Sequence, residues 1–266
     1  MRLGFVGGGV MGEAMLAAIL DRRIAASSSI RVADTLPERR AALASRYGVT
    51  TFGDALEAAA ESDILVLAVK PQSLHEVFAD LRGRLNPAQL VVSIVAGTNL
   101  ATLTRLLEHA AVVRVMPNTP AQIGRGMSVW TATNHVTDEQ RGMVCSILEA
   151  LGREMYVEDE KYVDMATAVS GSGPAYVFLL IEGLTDAAVH VGLPRPQAQE
   201  LVLQTVLGSA EFALRSGKHP AELRNMVTSP GGTTAEGLYR LERGAMRALL
   251  TDAVLAAYEK ARVLGG

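Results

Sequence analysis

Residues Gly7-Gly8-Gly9-Val10-Met11-Gly12 place glycines at G-x-G-x-x-G spacing between an apolar β-type run and a helical pattern, and few folds accommodate that. Gly7 permits a tight turn, Gly9 lets a pyrophosphate approach the backbone, and Gly12 lets helix and strand pack closely. The start of the following helix adds free N–H groups and partial positive charge, a seat for phosphates. The spacing alone is weak evidence. With a strand before it and a helix after it, Gly7, Gly8, Gly9, Val10, Met11 and Gly12 are read as dinucleotide contacts.

The rest of the first half continues the pattern. Strand-like runs at Arg2–Val6, Ile30–Ala33, Ile64–Val69, Leu90–Val95, Val112–Val115 and Met127–Thr131 alternate with helical patterns. These lie at Val10–Asp21, Pro37–Tyr47, Gln72–Leu85 and Asn99–His109. The alternation predicts an α/β Rossmann-type doubly wound domain over 1–157, with a parallel sheet and crossover helices. Near-continuous apolar runs such as 64–69 fit a sheet covered on both faces. Beyond Lys161 the strand signal ends, and Pro174, Pro196 and Pro220 each open a helical pattern. Segments 174–193, 196–216, 220–227, 234–243 and 245–263 predict an all-α region over 158–266. Segment 174–191 is apolar on nearly every side, so a second copy of the chain is expected to supply part of its cover.

Composition narrows the function classes. Hydrophobic residues make up 49% and charged residues 20%, which provides a core and excludes a disordered chain. The net charge of −3 leaves no basic footprint for nucleic acid or an anionic membrane. The uncharged run 85–104 is too polar for a bilayer helix, and Glu13 with its neighbouring glycines argues against a signal peptide. A single cysteine, Cys145, fits a reducing, cytoplasmic setting. The five histidines show no metal-ligand spacing, so no metal site is expected.

The second strand ends at Asp34, where an acid would hydrogen-bond a ribose 2′-hydroxyl. Arg39 and Arg40 follow, and an arginine there suits a 2′-phosphate instead, so NADH and NADPH both stay open. Asp34 also reads as an ordinary turn residue, with Thr35 and Glu38 in a capping box. Two further strand ends, Ala68-Val69-Lys70-Pro71 and Ala96-Gly97, should face the same crevice, because ligands bind beyond the carboxyl ends of such strands.

In the helical half, Ser170-Gly171-Ser172-Gly173-Pro174 and Thr228-Ser229-Pro230-Gly231-Gly232-Thr233-Thr234 each place N–H groups and hydroxyls at a helix start. That is a way to hold a carboxylate without an arginine. The plain alternative is two helix caps, Ser172 and Thr233 or Thr234.

Taken with Ala68-Val69-Lys70-Pro71-Gln72, Met116-Pro117-Asn118-Thr119-Pro120 and His219-Pro220-Ala221-Glu222-Leu223, these segments resemble pyrroline-5-carboxylate reductase, collinearly over essentially the whole chain. The resemblance implies reduction of 1-pyrroline-5-carboxylate to L-proline by NADPH or NADH. It implies a dinucleotide-binding domain over 1–157 and a substrate-binding and dimerisation domain over 158–266. The expected assembly is a homodimer, with a decamer built as a pentamer of dimers. It carries cofactor contacts onto Gly7 to Gly12, Ala68 to Pro71 and Ala96-Gly97. Substrate contacts fall on Glu160, Ser229, Gly232, Thr233 and Thr234. Asp34 departs from the serine or threonine that NADP-preferring members carry near this position. Ala55 and Met226 stand where the family often has asparagine, and those contacts are not carried over.

An iminium is already electrophilic, so positioning carries most of the catalysis. The expected roles are Thr234 on the ring nitrogen, Ser229 and the 232–234 N–H groups on the carboxylate, and Glu160 balancing the ring charge. Glu158-Asp159-Glu160-Lys161 also reads as a solvated charge run. A β-hydroxyacid dehydrogenase would need a lysine after Ser170–Tyr176, and none occurs before Lys218. A dinucleotide sensor without turnover leaves 228–234 unexplained.

Overall fold

Four apolar residues in succession cannot alternate between core and water, so Leu3–Val6 (β1) and Ile64–Leu67 (β4) need cover on both faces, and both are buried throughout. The computed structural model describes Met1–Gly265 and arranges the chain as two compact units. The first comprises Met1–Ser172 with the chain from Ala257 onward, and the second is Gly173–Ala256.

The first unit is built on an eight-stranded sheet in the order β3-β2-β1-β4-β5-β6-β7-β8. The remaining strands are Ile30–Ala33 (β2), Thr50–Phe52 (β3), Leu90–Ser93 (β5), Val112–Met116 (β6), Gly126–Ala132 (β7) and Gly152–Tyr156 (β8). Its helices are Val10–Asp21 (α1), Pro37–Tyr47 (α2), Ala55–Ala59 (α3), Leu74–Leu81 (α4), Leu100–Leu107 (α5), Asp138–Leu151 (α6) and Lys161–Ala166 (α7). Strands β1 to β6 are parallel, with Val6 paired to Ala33 on one side and to Leu67 on the other. That is the switch point, where the chain order reverses and a ligand crevice opens. Two core layers cover the sheet, one around Phe5, Leu16 and Trp130, the other around Leu67, Phe78 and Leu103.

Several expectations need correction. The sheet is not wholly parallel: β7 runs antiparallel to β6, and β8 returns parallel to β7. The pattern at 72–85 divides into a 3-10 turn, Pro71–Ser73, and the shorter α4, with left-handed Gly83 (φ +66°) just beyond. Asn99 caps α5 instead of belonging to it, its Oδ1 accepting from the Thr102 N–H at 2.7 Å. Elements β3, α3, α6 and β8 were not singled out by the sequence pattern.

The second unit contains Gly173–His190 (α8), Arg195–Ser216 (α9), Pro220–Met226 (α10), Thr233–Arg243 (α11) and most of Met246–Gly265 (α12). These follow the expected helical segments closely. Within 173–256 only Thr185, Ala198 and Val202 are buried. On α8, Phe178 and Leu179 are 61% and 69% exposed. A unit of this size with so small an internal core needs another apolar surface to cover it. Among the described residues no helix is long and apolar enough to cross a membrane.

Candidate active site

At the switch point the glycine loop takes the shape its spacing implies. Gly7 has φ +101°, and a Cβ there would meet the Ala68 carbonyl oxygen at 2.6 Å. A Cβ on Gly12 would lie 2.3 Å from the Gly7 carbonyl oxygen, so only glycine lets α1 approach the turn. Gly9 differs: a Cβ there would meet nothing within 4 Å, and the residue opens onto a crevice of about 770 Å3. Gly9 is also the N-cap of α1 and offers no side-chain acceptor, so the first-turn N–H groups of α1 have no capping side chain. A bare backbone at a helix start, facing open space, fits the pyrophosphate of a dinucleotide.

The crevice brings together most of the expected cofactor residues. Gly7, Gly9, Val10, Asp34, Ala68, Val69 and Lys70 line it. Gly8 is adjacent, its N–H donating to Asp34 Oδ2 at 2.9 Å, while Leu36 N–H donates to Asp34 Oδ1 at 3.0 Å. Asp34 therefore braces the glycine loop as well as facing the crevice. Met11, Gly12 and Pro71 do not line the crevice, although Val10 and Lys70 next to them in the chain do. Ala96 and Gly97 do not line it: Gly97 has φ +75°, and a Cβ there would lie 2.6 Å from the Leu264 Cβ. Ala55 does line it.

A charge cluster on the same wall was not read from the sequence. Glu13 in α1 pairs with Arg39 through Oε2 and with Arg46 at 3.0 Å through Oε1, and the Tyr47 hydroxyl donates to Oε1 at 2.9 Å. Burial by itself would raise the Glu13 carboxyl. The hydrogen bonds from Tyr47 and Arg39 and the two nearby guanidinium charges more than offset this and hold it below the usual carboxylate value. Burial first, then the Glu13 hydrogen bond, pushes the Tyr47 hydroxyl upward. The signal for this cluster was an acid in the first turn of α1 and arginines on α2, but nothing in their spacing shows that they meet.

Glu160 is only partly exposed and is paired. Its Oε1 accepts from Arg114 Nη1 at 2.8 Å and from the Leu100 N–H at 2.7 Å. Arg114 reaches Asp164 through its other nitrogen at 2.5 Å, and its side chain is only 4% exposed. Nearby, Asn118 accepts from the Met127 N–H at 2.8 Å and donates to the Ser170 hydroxyl at 3.1 Å, which anchors the π-helical turn Thr167–Gly171. Neither Arg114 nor Asn118 was singled out individually.

In the second unit, the loop after α10 turns at Gly231 (φ +69°), and Gly232 is the N-cap of α11. No side chain caps this helix, so the expectation that Thr233 or Thr234 does so is wrong: both lie inside the helix. A Cβ on Gly232 would sit 2.4 Å from the Ser229 hydroxyl oxygen. Glycine therefore keeps that hydroxyl beside the helix start. The Thr228 hydroxyl is spent on the Arg224 carbonyl at 2.7 Å. Among the described residues the hydroxyls of Ser229, Thr233 and Thr234 show no such bond. The loop thus offers uncapped N–H groups and hydroxyls together, which suits a small carboxylate.

Comparison with known proteins bears on both units. The family model described as pyrroline-5-carboxylate reductase dimerisation matches residues 160–264. A second, described as NADP oxidoreductase coenzyme F420-dependent, matches 2–97. A pyrroline-5-carboxylate reductase from Synechocystis is 44% identical over 100% of this chain and 98% of its own length. The Escherichia coli reductase is 40% identical over 99% of this chain and 98% of its own. The crystal structure of Plasmodium falciparum pyrroline carboxylate reductase with NADP bound is 34% identical and superposes with a TM-score of 0.92, covering 100% of this chain and 98% of that one.

Proposed function

The chain belongs to the pyrroline-5-carboxylate reductase family, and from that membership we infer the chemistry and the roles of its residues. It is an oxidoreductase that reduces 1-pyrroline-5-carboxylate to L-proline with NADH or NADPH, the last step of proline biosynthesis. The observation that carries this is 44% identity along the entire chain to a reductase of that name. A bound nicotinamide would supply the hydride that the imine carbon accepts, with the proton on the ring nitrogen coming from solvent.

The protein's part is to bind, orient and balance charge. Gly7 to Gly12 offer backbone to the pyrophosphate, while Asp34 and Ala68 to Pro71 border the rest of the dinucleotide. Ala96-Gly97, expected as a further cofactor contact, lies outside the crevice lining and is given no role in it. In the helical unit, the Ser229 hydroxyl and the N–H groups of Thr233 and Thr234 hold the substrate carboxylate, whereas the Gly232 N–H, expected to join them, donates to the Ser229 carbonyl at 3.1 Å and shapes the loop. The Thr234 hydroxyl bonds the ring nitrogen and is the catalytic contact. Glu160, with one oxygen committed to Arg114, contributes negative charge against the iminium. Because the acceptor is charged, each such hydrogen bond is worth about 1.5–3 kcal/mol.

The functional boundary is drawn at 157/158, beside the start of the dimerisation match at 160. The exposed apolar face of α8 supports a homodimer, and a pentamer of dimers is the assembly we propose. A single cysteine supports the cytoplasm as its compartment.

Steady-state kinetics of Thr234→Ala tests the assignment. We expect kcat/KM to fall about 10- to 100-fold with the cofactor KM unchanged. Activity within about twofold of the parent would remove Thr234 from the mechanism.

A further inference from the structure

Beyond the loop that holds the pyrophosphate, the crevice wall is built where a ribose 2′ position decides between two cofactors. An acid at the end of β2 suits a 2′-hydroxyl, and a free arginine nearby suits a 2′-phosphate. This chain has both an acid and arginines, so the question is whether any guanidinium is free.

Arg40 turns away: its Nη1 donates to the Asp34 carbonyl at 2.8 Å and to the Thr35 carbonyl at 3.1 Å. Arg39 lines the crevice, but its Nε donates to the Gly8 carbonyl at 2.5 Å and its Nη2 is paired with Glu13. Glu13 is itself held by Arg46 and Tyr47, and its side chain is 18% exposed, so it is fixed rather than a chance surface partner. Asp34, already fastened by two N–H groups, keeps its charge at the same place. The crevice as a whole carries four carboxylates, Glu13, Asp34, Glu76 and Asp80, against three cations. A 2′-phosphate would meet repulsion from Asp34, an Arg39 whose Nε and Nη2 are already engaged, and an Arg46 paired with the same Glu13.

We propose that Glu13 sets the cofactor preference of this enzyme toward NADH, by withholding Arg39 from the 2′ position. The proposal rests on the crevice being the dinucleotide site, and the test separates the two ideas. Isothermal titration of the full-length protein compares AMP with adenosine 2′,5′-bisphosphate, which differ only in the 2′-phosphate, and NADH serves as a control for the site itself. The parent should bind AMP about tenfold more tightly. Glu13→Gln frees Arg39 and should narrow that ratio about tenfold or more. Arg39→Ala in the parent should leave the ratio within about threefold, whereas adding it to Glu13→Gln should restore the parental ratio.

Tighter binding of the bisphosphate by the parent would overturn the proposal. So would an Arg39→Ala variant that, in the parental background, loses about tenfold for the bisphosphate alone, because Arg39 would then have been available. These two readings hold whether or not Glu13→Gln folds. Failure of AMP, bisphosphate and NADH alike to bind would instead reject the crevice as the dinucleotide site, and the proposal with it.

Discussion

Replacing Arg114 by methionine removes a cation and leaves two carboxylates, Glu160 and Asp164, facing the space it held. In the native protein its nitrogens lie 2.8 and 2.5 Å from those carboxylates, and its side chain is 4% exposed. At an effective dielectric constant of about 20, charges roughly 3 Å apart interact by about 5–6 kcal/mol. Desolvation of the guanidinium cancels part of this, and removing one member of a buried pair costs about 3–5 kcal/mol. Glu160 and Asp164 keep 28% and 21% of their side chains exposed, so water relieves some of the stranded charge. The expected loss is therefore near the lower limit, about 3 kcal/mol, or a fall of about 6–12 °C in Tm for a unit of this size. Thermal unfolding at one fixed protein concentration measures it, since assembly contributes to apparent stability. The variant Arg114→Met with Glu160→Gln and Asp164→Asn should recover more than half of the loss. A fall below about 1 kcal/mol, as for a surface pair, would refute the reasoning. No recovery in the triple variant would refute it as well.

Two other predictions follow from the same observations. Phe178→Glu on α8 removes a ring that is 61% exposed in the single chain. Covering that fraction is worth about 1–2 kcal/mol per copy and twice that across a two-fold interface, so the dimer Kd should rise roughly 30-fold or more by sedimentation. An unchanged mass at low concentration would place the interface elsewhere. For Glu13, the folded carboxyl titrates below the ordinary glutamate value of 4.5. Its stabilising contribution is therefore fully present above about pH 4.5 and lost as the pH falls through the lowered value. Denaturant titrations of the parent and Glu13→Gln should converge on acidification, whereas a constant gap would mean that the carboxylate is not the source.

Much of this was legible in the residues because glycine and proline leave so few options. The turn at Gly7 to Gly12 and the helix starts near Pro174, Pro196 and Pro220 are dictated by backbone geometry, which spacing reveals. The direction of β7 was not legible, since the pattern of Gly126–Ala132 reads the same whichever way its neighbour runs. Thr50–Phe52 is too short to register as a strand, and the half-exposed β8 lacks an apolar run. The capping box at Thr137 and Gln140, which begins α6, is written in the sequence as a threonine with a glutamine three residues on. Arg114 was hidden differently: an arginine between valines looks like an interruption, and its partners lie 46 and 50 residues away. Glu160, within a run of charges, reads both as a substrate contact and as solvated surface, and neither reading shows Arg114 as its partner. Long-range pairing leaves no periodic trace.

The most direct test of the central claim is to follow oxidation of NADH and of NADPH with 1-pyrroline-5-carboxylate as the acceptor, while quantifying proline. A reductase yields one L-proline for each cofactor oxidised. Cofactor that binds but is not oxidised, with no proline formed, would contradict the assignment.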